Sequence, residues 1–409
     1  MSHGFLKDVR VVEGSAFIAA PMGGMTLAQL GADVIRFDAI GGGVDHRRAP
    51  LAPGGRSLYW TSLNKGKRSL AVDFGRPEGR ELVRELVTLP GEGGGVLLTN
   101  FASSWLGHAS LAARRPDLIS LTVEGNPDGS SAVDYTVNSA MGFPYITGGG
   151  SPANPVNNVL PAWDVACALA AALSLVVALA ERCRRGVGAE MRLALSDVAL
   201  ATASSLGYLT EAEVLGVERP SLGNDLYGAF GRDFATRDGR RVMIAAITER
   251  QWHGLVAACG MAEAIAAIEK ATGLDFRDEA QRFEGRDLIG GLVGRGCEAW
   301  PLDDIARAFD AHGVCWGPYQ SFLELVRQDP RCSAANPIFQ RIETDGVGSH
   351  LAAGFPMRLA GALREPVAPA RLLGQHTEEI LADLLGLPAS AIGELHDRRI
   401  VASAQGSRP

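Results

Sequence analysis

Val9-Arg10-Val11-Val12-Glu13-Gly14-Ser15, a small-residue run from Ala19 to Leu30, and then Gly31-Ala32-Asp33-Val34-Ile35-Arg36-Phe37-Asp38 make up the stretch that decides the fold. The β-branched residues 9–13 read as a strand, 19–30 as a helix ended by Gly31, and 34–38 as a second strand with an acidic tip. Strand, helix and strand of this size form a right-handed βαβ unit, which implies a parallel sheet. A dinucleotide-binding fold starts the same way, but the turn Gly14-Ser15-Ala16-Phe17-Ile18-Ala19-Ala20-Pro21 lacks GxGxxG spacing, so NAD binding is unsupported.

The alternation continues outward. Leu70–Asp73 is a strand, Pro77–Val87 an amphipathic helix, 95–101 a strand, 111–115 helical, 118–123 a strand, and 191–199 a strand running into an Ala-rich helix. The first two hundred residues therefore read as one α/β layer structure. The polar segment Asp134–Gly142 is expected to run into a Gly/Pro/Asn-rich loop ending at Leu160. Near Glu218–Asn224 the character changes: 227–234, a turn at Asp238-Gly239, and 242–247 suggest a hairpin, followed by helical segments to about Gly313. The expected organisation is a large α/β domain over 1–215, a small α+β domain over 216–329, and a return segment, 330–409, that completes the large domain.

With 409 residues, 46% of them hydrophobic and 21% charged, the chain is long enough for two cores. A net charge of -7 argues against a sequence-independent nucleic-acid binder, so no nucleic-acid partner is expected. The six cysteines form no CxxC pair, so neither a metal site nor a disulfide framework is expected, and they read as buried thiols in a reducing compartment. Met1–Arg10 shows no basic region followed by an apolar core, and the apolar run Val165–Ala180 falls short of the ~20 residues that span a bilayer. A cytoplasmic protein without membrane attachment is the expectation.

Two Gly-containing basic loops, Gly41–Arg48 and Asn64–Ser69, suit phosphates, and they suit plain solvated loops as well. Leu160-Pro161-Ala162-Trp163-Asp164 opens a long apolar helix running to about Cys183. Asp164 in its first turn would lie at the positive end of the helix dipole, which favours an anionic nucleophile and an ordinary structural carboxylate alike.

The series Leu6–Glu13, Leu30–Ile35, Asn64–Ser69, Thr99-Asn100-Phe101 and Leu373–Leu381 resembles the class III CoA-transferases across nearly the whole chain. The resemblance implies an open, Rossmann-like parallel-sheet large domain built from both chain ends, a smaller α+β domain, and an interlocked homodimer. It puts the nucleophile on Asp164 and the CoA contacts on Arg36, Arg47, Arg48, Lys67, Arg68 and Asn100. Coenzyme A enters as part of the substrate, with no prosthetic group.

Two departures narrow the activity. Val133 stands where the racemase branch has a catalytic His, and Ile18 stands where the formyl-CoA branch has a Gln. The phrases Val12–Phe17, Gly23–Leu30, Val133–Asn138, 160–164 and Leu226–Phe234 are most similar to a branch that moves CoA between the two carboxylates of mesaconate. The partners so implied are an acyl-CoA and a dicarboxylic acid, the alternative being transfer between an acyl-CoA such as succinyl-CoA and a free acid. Amides of the turn Ser15-Ala16-Phe17 would face the oxyanion, and Arg47, Tyr135 and Asn138 would hold the waiting carboxylate.

Overall fold

The computed structural model describes residues 4–101, 103–149, 153–361 and 364–404. Six strands, β1 (Arg10–Gly14), β2 (Asp33–Asp38), β3 (Arg68–Val72), β4 (Val96–Thr99), β5 (Ile119–Glu124) and β6 (Ala189–Ala194), lie parallel in the order 3-2-1-4-5-6. A seventh strand, Val401–Ala402, pairs antiparallel with β3, with Val401 opposite Val72. Both chain ends thus enter one sheet. The order reverses direction between β1 and β4, and open α/β sheets bind ligands at the carboxyl ends of strands flanking such a reversal.

Val11, Val12, Ile35, Phe37 and Leu97 are buried, as a parallel sheet covered on both faces requires. The Ala19–Gln29 helix that closes the first βαβ unit packs against the Ala162–Arg185 helix. A Cβ on Gly23 would come 3.1 Å from the Ala168 carbonyl oxygen, so the small residues of both helices set their close approach. Leu27 and Leu175 are fully buried in this region, each contributing about 1.5–3 kcal/mol of hydrophobic stabilisation.

The Ala162–Arg185 helix is longer than its apolar run suggested. Its 24 residues are long and apolar enough, by length and composition alone, to cross a membrane. Cys167, Ala168, Ala171 and Leu175 are nevertheless buried in the protein core, and Arg182 at the far end donates to the carbonyls of Glu92 and Gly94, both at 2.8 Å. Gly186, at φ 70°, ends the helix in the left-handed conformation that glycine adopts without strain.

Two compact units make up the chain. One comprises Met1–Met141, Asn158–Thr210 and Pro330–Pro409, the other Gly142–Asn157 and Glu211–Asp329. In the second, β7 (Phe230–Ala235), β8 (Arg241–Ala246) and β9 (Cys315–Pro318) form an antiparallel sheet, adding a third strand to the expected hairpin. Phe230, Ile244, Trp252, Phe276 and Phe309 lie in its core.

In the first unit, a hairpin of Phe339–Thr344 and Gly348–Ala353 was not anticipated. The polar segment Asp134–Gly142, for which no element was expected, holds a helix at Asp134–Ala140, and a further short helix, Phe143–Ile146, opens the expected loop. Seven residues rich in Thr, Asn and Ser carry little helical signal. The Thr136 side chain closes the first turn reciprocally with the backbone of Val133, and Asp134 finds its partners on another helix.

Candidate active site

The end of β1 is fastened from three sides. Asn100, just past β4, accepts from the Ala16 N–H at 2.9 Å and donates to the Ala16 carbonyl at 2.8 Å. Asp45 accepts from the Phe17 N–H at 2.7 Å, and Arg36 donates to the Ser15 carbonyl at 2.7 Å. Phe17 sits at φ 66°, a conformation unfavourable for a bulky residue, and these bonds hold it there. Of the turn amides expected to face an oxyanion, those of Ala16 and Phe17 already have acceptors within the protein. The next helix starts at Ala19 with no side-chain cap, which leaves the first N–H groups of the helix without a capping acceptor among the described residues.

Asp164 lies half-buried in the first turn of the Ala162–Arg185 helix. The capping carboxylate belongs to Asp134, whose Oδ2 accepts from the N–H groups of Trp163 at 2.8 Å and Asp164 at 3.1 Å. The Asp164 side chain is therefore spared that structural duty. Burial pushes its carboxyl up to about 7, the neighbouring Asp134 charge adds to this, and Arg48 partly offsets it. The Trp163 indole N–H donates to Asn138 at 3.0 Å, which fixes the ring next to Asp164.

The loop residues Val44–Arg48 and the short helix Leu58–Leu63 complete the surroundings. The Arg48 guanidinium stands 4.8 Å from the Tyr59 ring centroid and 5.8 Å from that of Phe17, and the Arg48 carbonyl accepts from Ser57 Oγ at 2.6 Å. His46 lies against Trp60 with centroids 4.4 Å apart and the rings tilted by 35°, and burial pulls its imidazole down to about 4, so it is neutral at physiological pH.

The basic residues split into two groups. Arg36 and Lys67 are buried and occupied: Arg36 bonds Asp38, Glu13, Ser15 and Asn64, and Lys67 bonds Glu13 at 2.7 Å, the Pro21 carbonyl at 2.7 Å and Asn64 at 2.8 Å. Burial pulls the Lys67 ammonium down to about 8 against the opposing charge of Glu13. Their expected role as phosphate contacts is corrected, because neither head reaches solvent. Arg68 pairs with Asp33 at 2.6 Å and Glu379 at 3.1 Å, joining the sheet edge to the C-terminal segment. Arg47 and Arg48 are exposed.

Of the remaining expected residues, Ser15 is buried with its hydroxyl on Glu13, and Asn100 acts as the clamp on Ala16. Asn138 is buried and its Oδ1 accepts from the Trp163 indole, while Tyr135 is exposed on the same short helix. Asp134, Asp45 and Tyr59 were missed as site residues. Each acquires its role from a partner far away in sequence, and the one available signal was the carboxylate at the head of a short polar segment.

A doubly wound α/β fold with a half-buried, charge-shifted carboxylate at a helix start suits an enzyme of acyl chemistry. The chain belongs to the family described as CoA-transferase family III, which it matches over residues 6–377. It is 47% identical over 401 residues to 2-methylfumaryl-CoA isomerase of Chloroflexus aurantiacus, with 98% of each chain covered. It is 30% identical over 409 residues to succinyl-CoA–D-citramalate CoA-transferase of the same organism, covering 97% of this chain and 98% of the other. Its fold matches a CAIB/BAIF family protein from Brucella suis with a TM-score of 0.76 and 25% identity, over 93% and 99% of the two chains.

Proposed function

We propose that this protein moves CoA between the two carboxylates of mesaconate, converting 2-methylfumaryl-CoA to 3-methylfumaryl-CoA. The observation that carries the chemistry is Asp164, a half-buried carboxylate relieved of capping by Asp134 and poised near neutral pH. What favours the intramolecular reaction over transfer to a separate acid is the 47% identity to the isomerase against 30% to the succinyl-CoA enzyme.

Ionised Asp164 attacks the thioester carbonyl, the C–S bond breaks, and CoA leaves as thiolate from the mixed anhydride. The thiolate then attacks the Asp164 carbonyl carbon, giving an aspartyl-CoA thioester and free mesaconate. The other mesaconate carboxylate attacks that thioester and the two steps run in reverse, regenerating Asp164. No net proton, electron or metal is needed. The uncapped N–H groups at the Ala19–Gln29 helix start suit the developing oxyanion. Exposed Arg47 suits a CoA phosphate, and a cytoplasmic location suits a CoA thioester.

The Ala162–Arg185 helix leaves Leu169, Leu173 and Val177 exposed at four-residue spacing, which fits a second copy of the chain in a homodimer. Light scattering should give twice the chain mass, and a monomer at micromolar concentration would remove this part of the reading.

The test is 2-methylfumaryl-CoA incubated with isotopically labelled free mesaconate. Unlabelled 3-methylfumaryl-CoA is expected, whereas label in the product would mean intermolecular transfer. Asp164→Ala should reduce turnover by at least about 10⁴-fold with the melting temperature kept, as loss of a covalent nucleophile does. Retained turnover would refute the aspartyl intermediate.

A further inference from the structure

Intramolecular transfer has a vulnerable moment. Once CoA is on Asp164, the diacid is attached to nothing and must turn end for end without escaping. Something must grip either carboxylate in turn, and of the residues first expected there Asn138 is buried and carries no charge, while Arg47 does not figure in the field at Asp164.

The face formed by the 44–48 loop and the Leu58–Leu63 helix has the opposite character. Among the described residues, ten buried side-chain polar atoms have no hydrogen-bond partner, and half belong to Asp45, His46, Tyr59, Trp60 and Thr61. Buried polar atoms are rarely left unsatisfied, so such a concentration marks a place where something polar binds. The Tyr59 hydroxyl is one of them. Burial raises its phenol above the ordinary value, Arg48 opposes this, and Asp45 and Asp164 add to it, so it stays a neutral donor within the field of the nucleophile.

Arg48 supplies the charge. Its guanidinium stands near the Tyr59 and Phe17 rings, its backbone is tied to Ser57, and Phe17 is itself held in its left-handed conformation by Asp45. A planar fork steadied by aromatic rings keeps its five donors aligned for bidentate capture of a carboxylate and loses little freedom when it binds one. No ion pair engages it among the described residues.

We propose that Arg48, steadied by Phe17 and Tyr59, forms with the Tyr59 hydroxyl the subsite that retains the free dicarboxylate while Asp164 carries CoA. The subsite grips the remote carboxylate of the thioester substrate, keeps hold of the diacid once it is free, and exchanges one carboxylate for the other as it turns. The inference rests on the reading of Asp164 as nucleophile and on intramolecular transfer.

The experiment follows 2-methylfumaryl-CoA with wild type, Arg48→Gln, Arg48→Lys and Tyr59→Phe in the presence of labelled mesaconate, reading free acid released, label incorporated and the Asp164–CoA adduct by mass spectrometry. Arg48→Gln is expected to form the adduct and to release free acid about 10- to 100-fold more per turnover, with label entering the product, as loss of a charged hydrogen-bond partner implies. Arg48→Lys should recover part of the retention, and Tyr59→Phe should show a smaller leak. Arg48→Gln that releases no acid and takes up no label overturns the proposal, as does one that folds but forms no adduct. Label uptake by the wild type would instead defeat the intramolecular reading. Arg48 would then be judged by competition between mesaconate and a monocarboxylic acid: loss of the diacid preference in Arg48→Gln supports the subsite, and an unchanged preference refutes it.

Discussion

Two groups of basic side chains stand near the carboxyl ends of the central strands, and the protein uses them in opposite ways. Arg36 and Lys67 lie inside, sharing Glu13 Oε1 at 3.3 and 2.7 Å, with Asp38, Ser15 and Asn64 filling the remaining hydrogen-bonding directions. Arg47 and Arg48 lie outside on a loop with aromatic neighbours and no ion pair among the described residues. A buried cation needs a resident carboxylate, because desolvation would otherwise expel its proton or unfold the site, whereas an exposed one can wait for a visiting anion. The inner group is a brace for the β1 turn and the outer group is available for substrate.

The most severe way to break this contrast is to remove the shared carboxylate. Glu13→Ala leaves two buried cations short of charge and should cost about 3–5 kcal/mol of stability in denaturant unfolding. Gly24→Ala should destabilise by the same route, since its Cβ would fall 1.7 Å from Glu13 Oε2. Either variant unfolding at the wild-type midpoint would show that the brace is dispensable.

A change at Asp134 is milder. The rate against pH should rise tenfold per unit to a plateau above about 7, since only ionised Asp164 attacks. Asp134→Asn keeps an acceptor for the helix start but removes the like charge, so the midpoint should move to lower pH while staying above an ordinary carboxylate, burial being the larger cause. The stability cost of the lost capping charge should be about 1 kcal/mol. A midpoint that does not move would mean that Asp134 is a cap alone.

The same shift has a stability signature. A carboxyl raised in the folded state costs nothing below about pH 4, where the unfolded chain is also protonated, and its full penalty applies above about 7. Asp164→Asn should therefore be stabilised relative to wild type by an amount that grows between those values. With a partly exposed carboxylate, about 1–2 kcal/mol at pH 8 is expected in thermal melts. Equal stabilities at pH 8 would place the carboxyl in solvent.

The smallest effect on stability belongs to the outer group. Arg47→Ala should stay within about 0.5 kcal/mol of wild type, as exposed charges without fixed partners do, while raising KM for the CoA thioester most at low salt. A large loss of stability would place Arg47 with the brace.

How much of this was legible in the chain depends on the range of each interaction. The βαβ unit, the alternation behind it and the Asp164 helix start were readable because hydrophobic period and turn residues act within a dozen positions. The order of family motifs pointed to Asp164 where its local setting did not. The Asp134–Ala140 helix, the third strand at Cys315–Pro318 and the 339–353 hairpin were not readable. They are short, and their stability comes from partners elsewhere in the chain.

By itself, then, the sequence determined the parallel sheet, the helix that presents Asp164 and the membership in a CoA-transferase family, all through local patterns or motifs in fixed order. Only the tertiary structure decided which arginines are buried on resident carboxylates and which stand open to solvent, because Arg36 and Arg48 are the same residue type. It also moved the capping duty from Asp164 to Asp134, thirty residues away, which spares the Asp164 carboxyl that bond. The physical reason is the same in both cases: burial and the partner across space, neither of which is written in a residue's neighbours along the chain, fix what a charge can do.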